Sequence, residues 1–216
     1  MKVGTDGVLL GAWSKSTEGN ILDIGTGTGL IAIMLAQRTK IASIDAVEVE
    51  LAAYNQAVES INNCDWSNRF TVHHVSIQNY HPNKKYDVIV SNPPFFIAST
   101  KAPNSERNTA RHTDDLSFTD LITAVVRLLK PDGIFSLILP TTEATLFIEL
   151  AAIQNLFINK KCIVKPNPTK PVKRVLMEFS FQKKEIITKE LIIETEIRHQ
   201  YTKEYISLTK DFYLKF

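Results

Sequence analysis

The stretch ILDIGTGTGL, residues 21–30, decides the fold: an apolar strand runs into three alternating glycines and then into a helix. Glycines allow the backbone to turn tightly and a ligand to approach it, and the N-terminus of the next helix favours oxygen-rich groups. Such turns also occur without a ligand. With a strand before it and a helix after it, this one predicts a nucleotide-type cofactor at Gly25, Gly27 and Gly29.

The residues around the turn decide between two cofactors. The window from Gly27 to Ala32 fits the dinucleotide fingerprint G-x-G-x-x-G/A, which favours NAD. Asp23, however, precedes the first glycine by two residues, where a dinucleotide site prefers an apolar residue, and a buried acid there suits a cationic ligand. S-adenosylmethionine has a cationic α-ammonium group and no phosphates. Glu48 follows the turn by about 20 residues, where a carboxylate can accept hydrogen bonds from both ribose hydroxyls. The methyl donor is favoured, and NAD stays open.

A second motif, VSNPPFF at 90–96, directly follows the apolar run YDVIV. The Pro93-Pro94 pair ends any strand there, because proline fixes φ and donates no backbone hydrogen bond. Two interpretations are open. The turn could fold Phe95 and Phe96 under the core, or it could form a rigid platform for a planar substrate, with Asn92 directed at the substrate's edge. The stretch alone favours the first.

Composition is ordinary for a soluble globular protein: 216 residues, 44% hydrophobic, 22% charged, with a mean hydropathy of −0.06. One α/β domain with a sizeable core is expected over residues 1–216. No apolar run approaches the roughly 20 residues that span a bilayer, and no signal peptide is recognised. Cys64 and Cys162 lie far apart without His or Cys at ligand spacing, so neither a disulfide framework nor a metal site is expected. A cytoplasmic location and no membrane partner are expected.

Charge is distributed unevenly along the chain. Residues 1–157 contain 12 Lys/Arg and 16 Asp/Glu, whereas residues 158–216 contain 13 and 7. Six basic residues and no acidic one fall within 158–175: Lys160, Lys161, Lys165, Lys170, Lys173 and Arg174. A polyanionic partner would meet this end first, although a merely solvated basic surface is the alternative.

Apolar periodicity indicates alternating strands and helices, which is typical of βαβ units and a parallel sheet. Strands are predicted at 20–24, 42–49, 70–77, 86–90, 133–139, 157–165 and 173–181, and helices at 28–38, 50–63, 116–129 and 142–156. Lys130–Gly133 (KPDG) is predicted as a turn. Towards the C-terminus strands follow one another without helices, which indicates an antiparallel edge. Residues 186–216 are predicted to pack on the domain as an extension.

These motifs together resemble a known family. D-x-G-x-G-x-G, the acid closing the second strand and N-P-P-F closing the fourth resemble class I methyltransferases that act on exocyclic or amide nitrogens. Four further stretches, MKVGTDGVLLGAW (1–13), NTARHTD (108–114), KPVKRVLMEF (170–179) and YTKEYISLTKDFYLKF (201–216), are similar to the bacterial valine-tRNA adenine-N6 methyltransferases. The resemblance implies a Rossmann-like fold: a mostly parallel, seven-stranded, twisted sheet with an antiparallel C-terminal edge and helices on both faces.

The resemblance also implies an activity: methylation of N6 of adenine 37, an unpaired base beside the anticodon of valine tRNA, with S-adenosylhomocysteine as the product. An adenine amino group is a poor nucleophile, because its lone pair is delocalised into the ring. The Asn92 side chain and the Pro93 carbonyl would accept its two N–H groups and point the lone pair at the methyl group. Pro94 would add rigidity, and Phe95 would stack on the base. Asn92 would also border the donor.

Further roles follow from the same likeness. Thr5 and Asp6 would lie near the methionine end of the donor. Ser76 and Ile77 stand where many relatives place an acid for the cofactor adenine. Arg107, Arg111, His112, Lys170, Lys173 and Arg174 would contact the tRNA.

One departure concerns the start of the chain. The family has a short segment before MKVGTDG, so residues 1–19 are predicted to be a cofactor-flanking segment truncated at its start. A monomer is expected. The alternatives are a protein glutamine N5-methyltransferase, which uses the same Asn-Pro-Pro logic, and, more distantly, a dinucleotide-binding oxidoreductase or a non-catalytic nucleotide-binding module.

Overall fold

The fold is an α/β sandwich, seen in a computed structural model that describes residues 4–94 and 116–215. Its elements follow in chain order: α1 (Thr5–Trp13), β1 (Asn20–Ile24), α2 (Leu30–Gln37), β2 (Ser43–Glu48), α3 (Leu51–Asn62), β3 (Phe70–His74), β4 (Tyr86–Ser91), α4 (Phe118–Leu128), β5 (Leu129–Leu139), α5 (Thr141–Ile153), β6 (Phe157–Lys165), β7 (Arg174–Ser180), β8 (Ile187–Ile192) and α6 (Lys203–Thr209). Short 3₁₀ turns follow at Ser67–Arg69, Ile77–Asn79 and Lys210–Phe212.

One sheet joins the eight strands of the described residues in the order β3-β2-β1-β4-β5-β7-β6-β8. The first five strands in this order are parallel neighbours, β7 runs antiparallel to both β5 and β6, and β8 is parallel to β6. The predicted class, mostly parallel with an antiparallel edge, is therefore confirmed. The predicted number of seven strands is wrong by one, because Ile187–Ile192 adds an edge strand inside the segment that was predicted only to pack on the domain.

Strand direction decides which loops meet. The carboxyl ends of β1, β2, β4 and β5 lie along one edge of the sheet, called the site edge from here on. Since β7 is antiparallel to β5, with Val175 opposite Leu139, the first residue of β7 also lies at the site edge. β6 ends there as well, because Val164 pairs with Arg174. The loop 166–173 that joins β6 to β7 therefore lies at the same edge as the glycine turn.

Helices cover both faces of the sheet. On one face α1, α2 and α6 bury residues such as Leu9, Leu35 and Tyr205 against the strands. On the other, α4 and α5 pack over a cluster that contains Phe135 and Phe147. The first helix and the last one pack against each other.

Two predicted boundaries are wrong, and both have physical reasons. β3 ends at His74 and not at residue 77, because the chain turns into a 3₁₀ helix from Ile77. The turn predicted at 130–133 lies inside β5, where the register with β4 shifts by several residues and Pro131 and Asp132 project into solvent. Proline cannot donate to a ladder, so an irregular stretch is where a strand tolerates it.

Among residues 4–94 and 116–215, no helix has the length and apolar character required to cross a bilayer.

Candidate donor and acceptor site

The glycine turn joins β1 to α2 and is left-handed at three positions. Gly25, Gly27 and Gly29 have φ values of 69°, 60° and 84°, which a side chain would oppose. The Gly25 N–H donates to the Val47 carbonyl oxygen at 2.9 Å, so the end of β2 holds the turn. A Cβ atom built at Gly25 would meet nothing within 4 Å. Open space therefore adjoins the backbone at the position where a ligand would approach.

Asp23 is fully buried beneath this turn. Its Oδ2 accepts hydrogen bonds from Thr26 Oγ1 at 2.7 Å and from the Ala32 N–H at 3.2 Å. Its Oδ1 is buried and has no hydrogen-bond partner among the described residues. Burial raises the pKa of Asp23 to about 7; the bonds from Thr26 and Ala32 oppose the rise, and the charge of Glu48 adds to it. An acid with an unused, buried acceptor fits a ligand that brings an N–H donor and a positive charge.

Glu48, at the end of β2, is tied to the backbone on both sides. Oε2 accepts from the Gly27 N–H at 2.8 Å, and Oε1 accepts from the Val49 and Glu50 N–H groups, each at 2.9 Å. The predicted contact with the donor's ribose stays a prediction, with a lone pair of Oε2 remaining for it. The sequence did not indicate the role that the structure shows, which is to hold the middle of the glycine turn.

Asn92 follows β4 at the site edge, beside the glycine turn. Ile24 pairs with Ser91, and the residues after them, Gly25 and Asn92, are therefore neighbours across the two strands. The Oδ1 atom of Asn92 is buried and has no partner among the described residues. Pro93 is buried and Pro94 is exposed. Phe95 and the loop residues Arg107, Arg111 and His112 lie outside the described residues, so their roles stay predictions.

The start of α1 lies against the start of α2. A Cβ atom at Gly7 would be 3.2 Å from Leu30 Cδ2, so the first turn of α1 packs beside the residue that directly follows the glycine turn. The predicted contacts of Thr5 and Asp6 with the donor stay predictions. Thr5 is exposed, and Asp6 is partly buried. Asp6 Oδ2 accepts a hydrogen bond from Arg174 Nε at 2.7 Å. The structure thus joins a residue predicted to bind the donor with one predicted to bind RNA.

The end of β3 approaches Glu48 from the other side. The Val75 N–H donates to the Glu48 carbonyl oxygen at 3.0 Å, and Ser76 is the next residue in the chain. Its predicted contact with the cofactor adenine stays a prediction. Ile77 is buried in the core, where it packs under the sheet. Val49, directly after Glu48, is an exposed apolar residue.

The basic residues divide between two places. Lys170 and Lys173 are exposed on the loop 166–173 at the site edge. Lys165, at the end of β6, pairs with Glu190 at 2.8 Å. Lys160 lies nearer the other end of β6, with its Nζ 4.4 Å from the ring centroid of Trp13. Only part of the basic segment therefore faces the site.

A separate cavity of about 590 Å³ opens near the β3 edge and is lined in part by His73 and Tyr80. Its buried acid, Asp45, is already paired with Lys84 at 2.7 Å and with the Tyr80 and Tyr86 hydroxyls. Among the described residues, none of the side chains lining this cavity has a buried acceptor without a hydrogen-bond partner, whereas Asp23 at the glycine turn does. The turn is therefore the better candidate for the donor. Within 4–94 and 116–215, no group of three or more His, Cys, Asp or Glu side chains is arranged to hold a metal ion.

Known structures share this fold. A predicted O-methyltransferase from Agrobacterium tumefaciens superposes with a TM-score of 0.76 and 18% identity, covering 95% of this chain and 96% of that one. A glycopeptide N-methyltransferase complexed with S-adenosylmethionine gives a TM-score of 0.61 and 12% identity, covering 84% of this chain and 90% of that one. The fold is that of the class I methyltransferases.

Sequence comparison narrows the class. The family model described as "Methyltransferase small domain" matches residues 3–165. A tRNA1(Val) (adenine(37)-N6)-methyltransferase from Pseudoalteromonas translucida is 48% identical over 216 residues, covering 100% of this chain and 92% of the relative. The protein of that name from Trichodesmium erythraeum is 49% identical over 221 residues, with the same coverage. The chain belongs to the tRNA1(Val) (adenine(37)-N6)-methyltransferase family.

Proposed function

We propose that the protein transfers the methyl group of S-adenosylmethionine to N6 of adenine 37 in valine tRNA. The observation that carries the proposal is a pair of buried acceptors, Asp23 Oδ1 and Asn92 Oδ1, at the ends of the neighbouring strands β1 and β4, neither of which has a hydrogen-bond partner within residues 4–94 and 116–215. A buried acceptor without a partner costs about 1–3 kcal/mol, which substrates that bring N–H groups recover. One acceptor fits the cationic amine of a methyl donor, and the other fits the amino group of a base.

The donor would lie along the glycine turn. Asp23 would accept from its α-ammonium group, Glu48 from its ribose, and Thr5 and Asp6 would border its methionine end. Ser76 and Ile77 would border its adenine ring. When bound, S-adenosylmethionine supplies an electrophilic methyl group on a positively charged sulfur.

The chain's own residues would then orient the acceptor base. Asn92 Oδ1 and the Pro93 carbonyl oxygen would accept the two N–H groups of adenine, which turns the nitrogen lone pair away from the ring and toward the donor. Pro94 keeps these acceptors in place, and Phe95 would stack on the base face. No strong base is required, because the amino group becomes acidic as its bond to carbon forms, and its proton can leave to water. Orientation and electrostatics do the work.

The polyanionic substrate explains the charge on the site edge. Lys170 and Lys173 lie on the loop 166–173, at the same edge of the sheet as Asn92, and would contact phosphates near the flipped base. Arg107, Arg111, His112 and Arg174 would add contacts. An anticodon-loop base is unpaired already, so its extrusion into the pocket costs less than flipping from a duplex. Because tRNA is the proposed substrate, we propose a cytoplasmic location for the enzyme. We also propose that it acts as a monomer.

The proposal is tested with labelled S-adenosylmethionine and two valine tRNA transcripts, one with adenine and one with guanine at position 37. We expect N6-methyladenosine in the first transcript and no label in the second. A glutamine-containing peptide is offered as an alternative substrate in the same assay, and label in the peptide would favour the glutamine N5-methyltransferase.

Binding of NAD and of S-adenosylhomocysteine is compared by calorimetry. Tight NAD binding without S-adenosylhomocysteine binding would favour an oxidoreductase.

A further inference from the structure

The ion pair between Asp6 and Arg174 connects two parts of the molecule that would bind different substrates. Asp6 lies in the first turn of α1, one residue before Gly7, which packs on Leu30 directly after the glycine turn. Arg174 begins β7, directly after the basic loop 166–173. The two residues are 168 positions apart, and Nε lies 2.7 Å from Oδ2. The contact thus joins the helix that begins beside the proposed donor site to the end of the basic loop.

The bridge is partly shielded from water. The Arg174 side chain is 29% exposed and that of Asp6 is 24% exposed, so the pair is screened less than a surface pair. Arg174 Nη1 also donates to the Lys173 carbonyl oxygen at 2.9 Å, which fixes the end of the loop to the same guanidinium. A movement of the Arg174 side chain would therefore break or shift the hydrogen bond that holds the end of the loop at Lys173.

Once substrates are present, each residue of the ion pair has a second charge to interact with: the cationic donor for Asp6 and an RNA phosphate for Arg174. A cationic donor at the glycine turn adds positive charge beside Asp6 and weakens its attraction for Arg174. An RNA phosphate near the loop attracts Arg174 away from Asp6 and leaves that carboxylate available to the donor. Both substrates therefore bind at the expense of the same ion pair. Whichever substrate binds first weakens the pair, and the second then binds without that cost.

We propose that the Asp6–Arg174 ion pair makes donor binding and tRNA binding mutually reinforcing. Asp6 and Arg174 act here as positioning residues. The inference rests on the proposed function, because it requires both substrates. By thermodynamic linkage the effect is reciprocal: if the donor product tightens tRNA binding by some factor, tRNA tightens the binding of that product by the same factor.

The test is calorimetry with S-adenosylhomocysteine, in the absence and presence of saturating valine tRNA, on the full chain. For the unmodified protein we expect tRNA to tighten binding of the product by about fivefold or more, the lower end of typical couplings. The coupling ratio is the dissociation constant of S-adenosylhomocysteine without tRNA divided by that with tRNA. In Asp6→Asn this ratio should fall toward one, because the amide does not hold the guanidinium as an ion pair. Arg174→Lys keeps the charge but loses the Nε geometry and should give an intermediate ratio.

The matched control is Glu190→Gln. Glu190 pairs with Lys165 at 2.8 Å on the same basic region but away from α1, so this variant also removes one negative charge near the RNA. It should shift tRNA affinity while the ratio stays unchanged.

An unmodified ratio near one, or an equal ratio in Asp6→Asn and the unmodified protein, overturns the inference. A methylation assay on the same samples separates the two claims. If N6-methyladenosine forms and the ratio is flat, only the coupling fails; if no N6-methyladenosine forms, the proposed function fails. Thermal unfolding confirms that each variant is folded, and Arg174→Lys provides the comparison if Asp6→Asn is not.

Discussion

The Ser91 hydroxyl donates a hydrogen bond to the Ile24 carbonyl oxygen at 2.9 Å, and both residues are buried at the site edge. This bond links the last residue of β4 to the last residue of β1. The chain therefore leaves β4 at Asn92 in a fixed position relative to the glycine turn, and the two halves of the proposed site are held by the sheet itself.

The first prediction concerns Asn92→Ala. Removing the side-chain acceptor should lower kcat for methylation of valine tRNA by about 10²–10³, as loss of one oriented hydrogen-bonding group does in other enzymes. Affinity for S-adenosylhomocysteine should change by less than about twofold on calorimetry, because Asp23 and Glu48 are untouched. Asn159→Ala is a matched control: Asn159, near the start of β6, also has a buried Oδ1 that lacks a hydrogen-bond partner in the described part of the chain. If both variants lose activity equally, Asn92 serves the fold and not the chemistry.

The second prediction concerns Gly25→Ala. Because Gly25 has φ of 69°, a Cβ there should cost about 1–2 kcal/mol of stability, measured by denaturant unfolding. The added Cβ would meet no described atom within 4 Å apart from its chain neighbours, so a loss of ligand affinity reports on contact between this position and the ligand. Affinity for S-adenosylhomocysteine should fall at least tenfold. Gly4→Ala is the control, since Gly4 has open space but a φ of −96°. Unchanged affinity in Gly25→Ala would place the donor elsewhere.

The third prediction concerns pH. Burial raises the pKa of Asp23 to about 7 in the folded protein, above the unfolded value of 3.8. The folded state thus favours the protonated acid, so this contribution to stability is complete below pH 3.8 and is lost as pH rises through 7. Urea unfolding without ligand should show that decline in the unmodified protein and lack it in Asp23→Asn.

Ligand binding should show the opposite trend. A cationic donor favours ionised Asp23, so affinity for S-adenosylhomocysteine should rise by about tenfold between pH 6 and pH 8, with proton release on binding. In Asp23→Asn the profile should be flat over the same range. A rise of equal size in that variant would assign the titration to another group.

The fourth prediction concerns the basic loop. Lys170→Ala and Lys173→Ala should each weaken binding of any tRNA and reduce the slope of log affinity against log salt by about 1, as expected for one phosphate contact. Lys184→Ala is the control, because Lys184 follows the far end of β7, away from the site edge. Filter binding at several salt concentrations measures all three. If Lys184→Ala reduces the slope as much, the RNA lies on a broader surface than the loop.

Sequence reasoning placed most of the sheet, because strands such as β1 and β4 are apolar runs bounded by turn residues. It missed α1, whose buried residues Gly7–Ala12 lie all around the helix and give no amphipathic period. It also missed β8, an edge strand whose first four residues are all exposed, since such a strand shows no alternation of buried and exposed positions.

The site divided in the same way. Asp23, Gly25 and Asn92 lie at motif positions that have local signatures, and the structure brings them to one edge. The ion pair of Asp6 with Arg174 joins residues at opposite ends of the sequence, and no local pattern predicts which acid a distant arginine meets. The backbone bonds of Glu48 were equally hidden, because they depend on how the glycine turn closes over β2.

The reversal of β7 has a consequence for how this enzyme can change. A parallel strand in its place would require a long crossover, whereas an antiparallel one needs only a loop, and that loop is 166–173. Each doubling of a flexible loop costs only about 0.6 kcal/mol, so this segment can lengthen, shorten or exchange its basic residues at little expense to the fold. If the proposed function holds, choice of nucleic acid can therefore change by insertion and substitution in one hairpin, while the strands proposed to hold the methyl donor stay as they are.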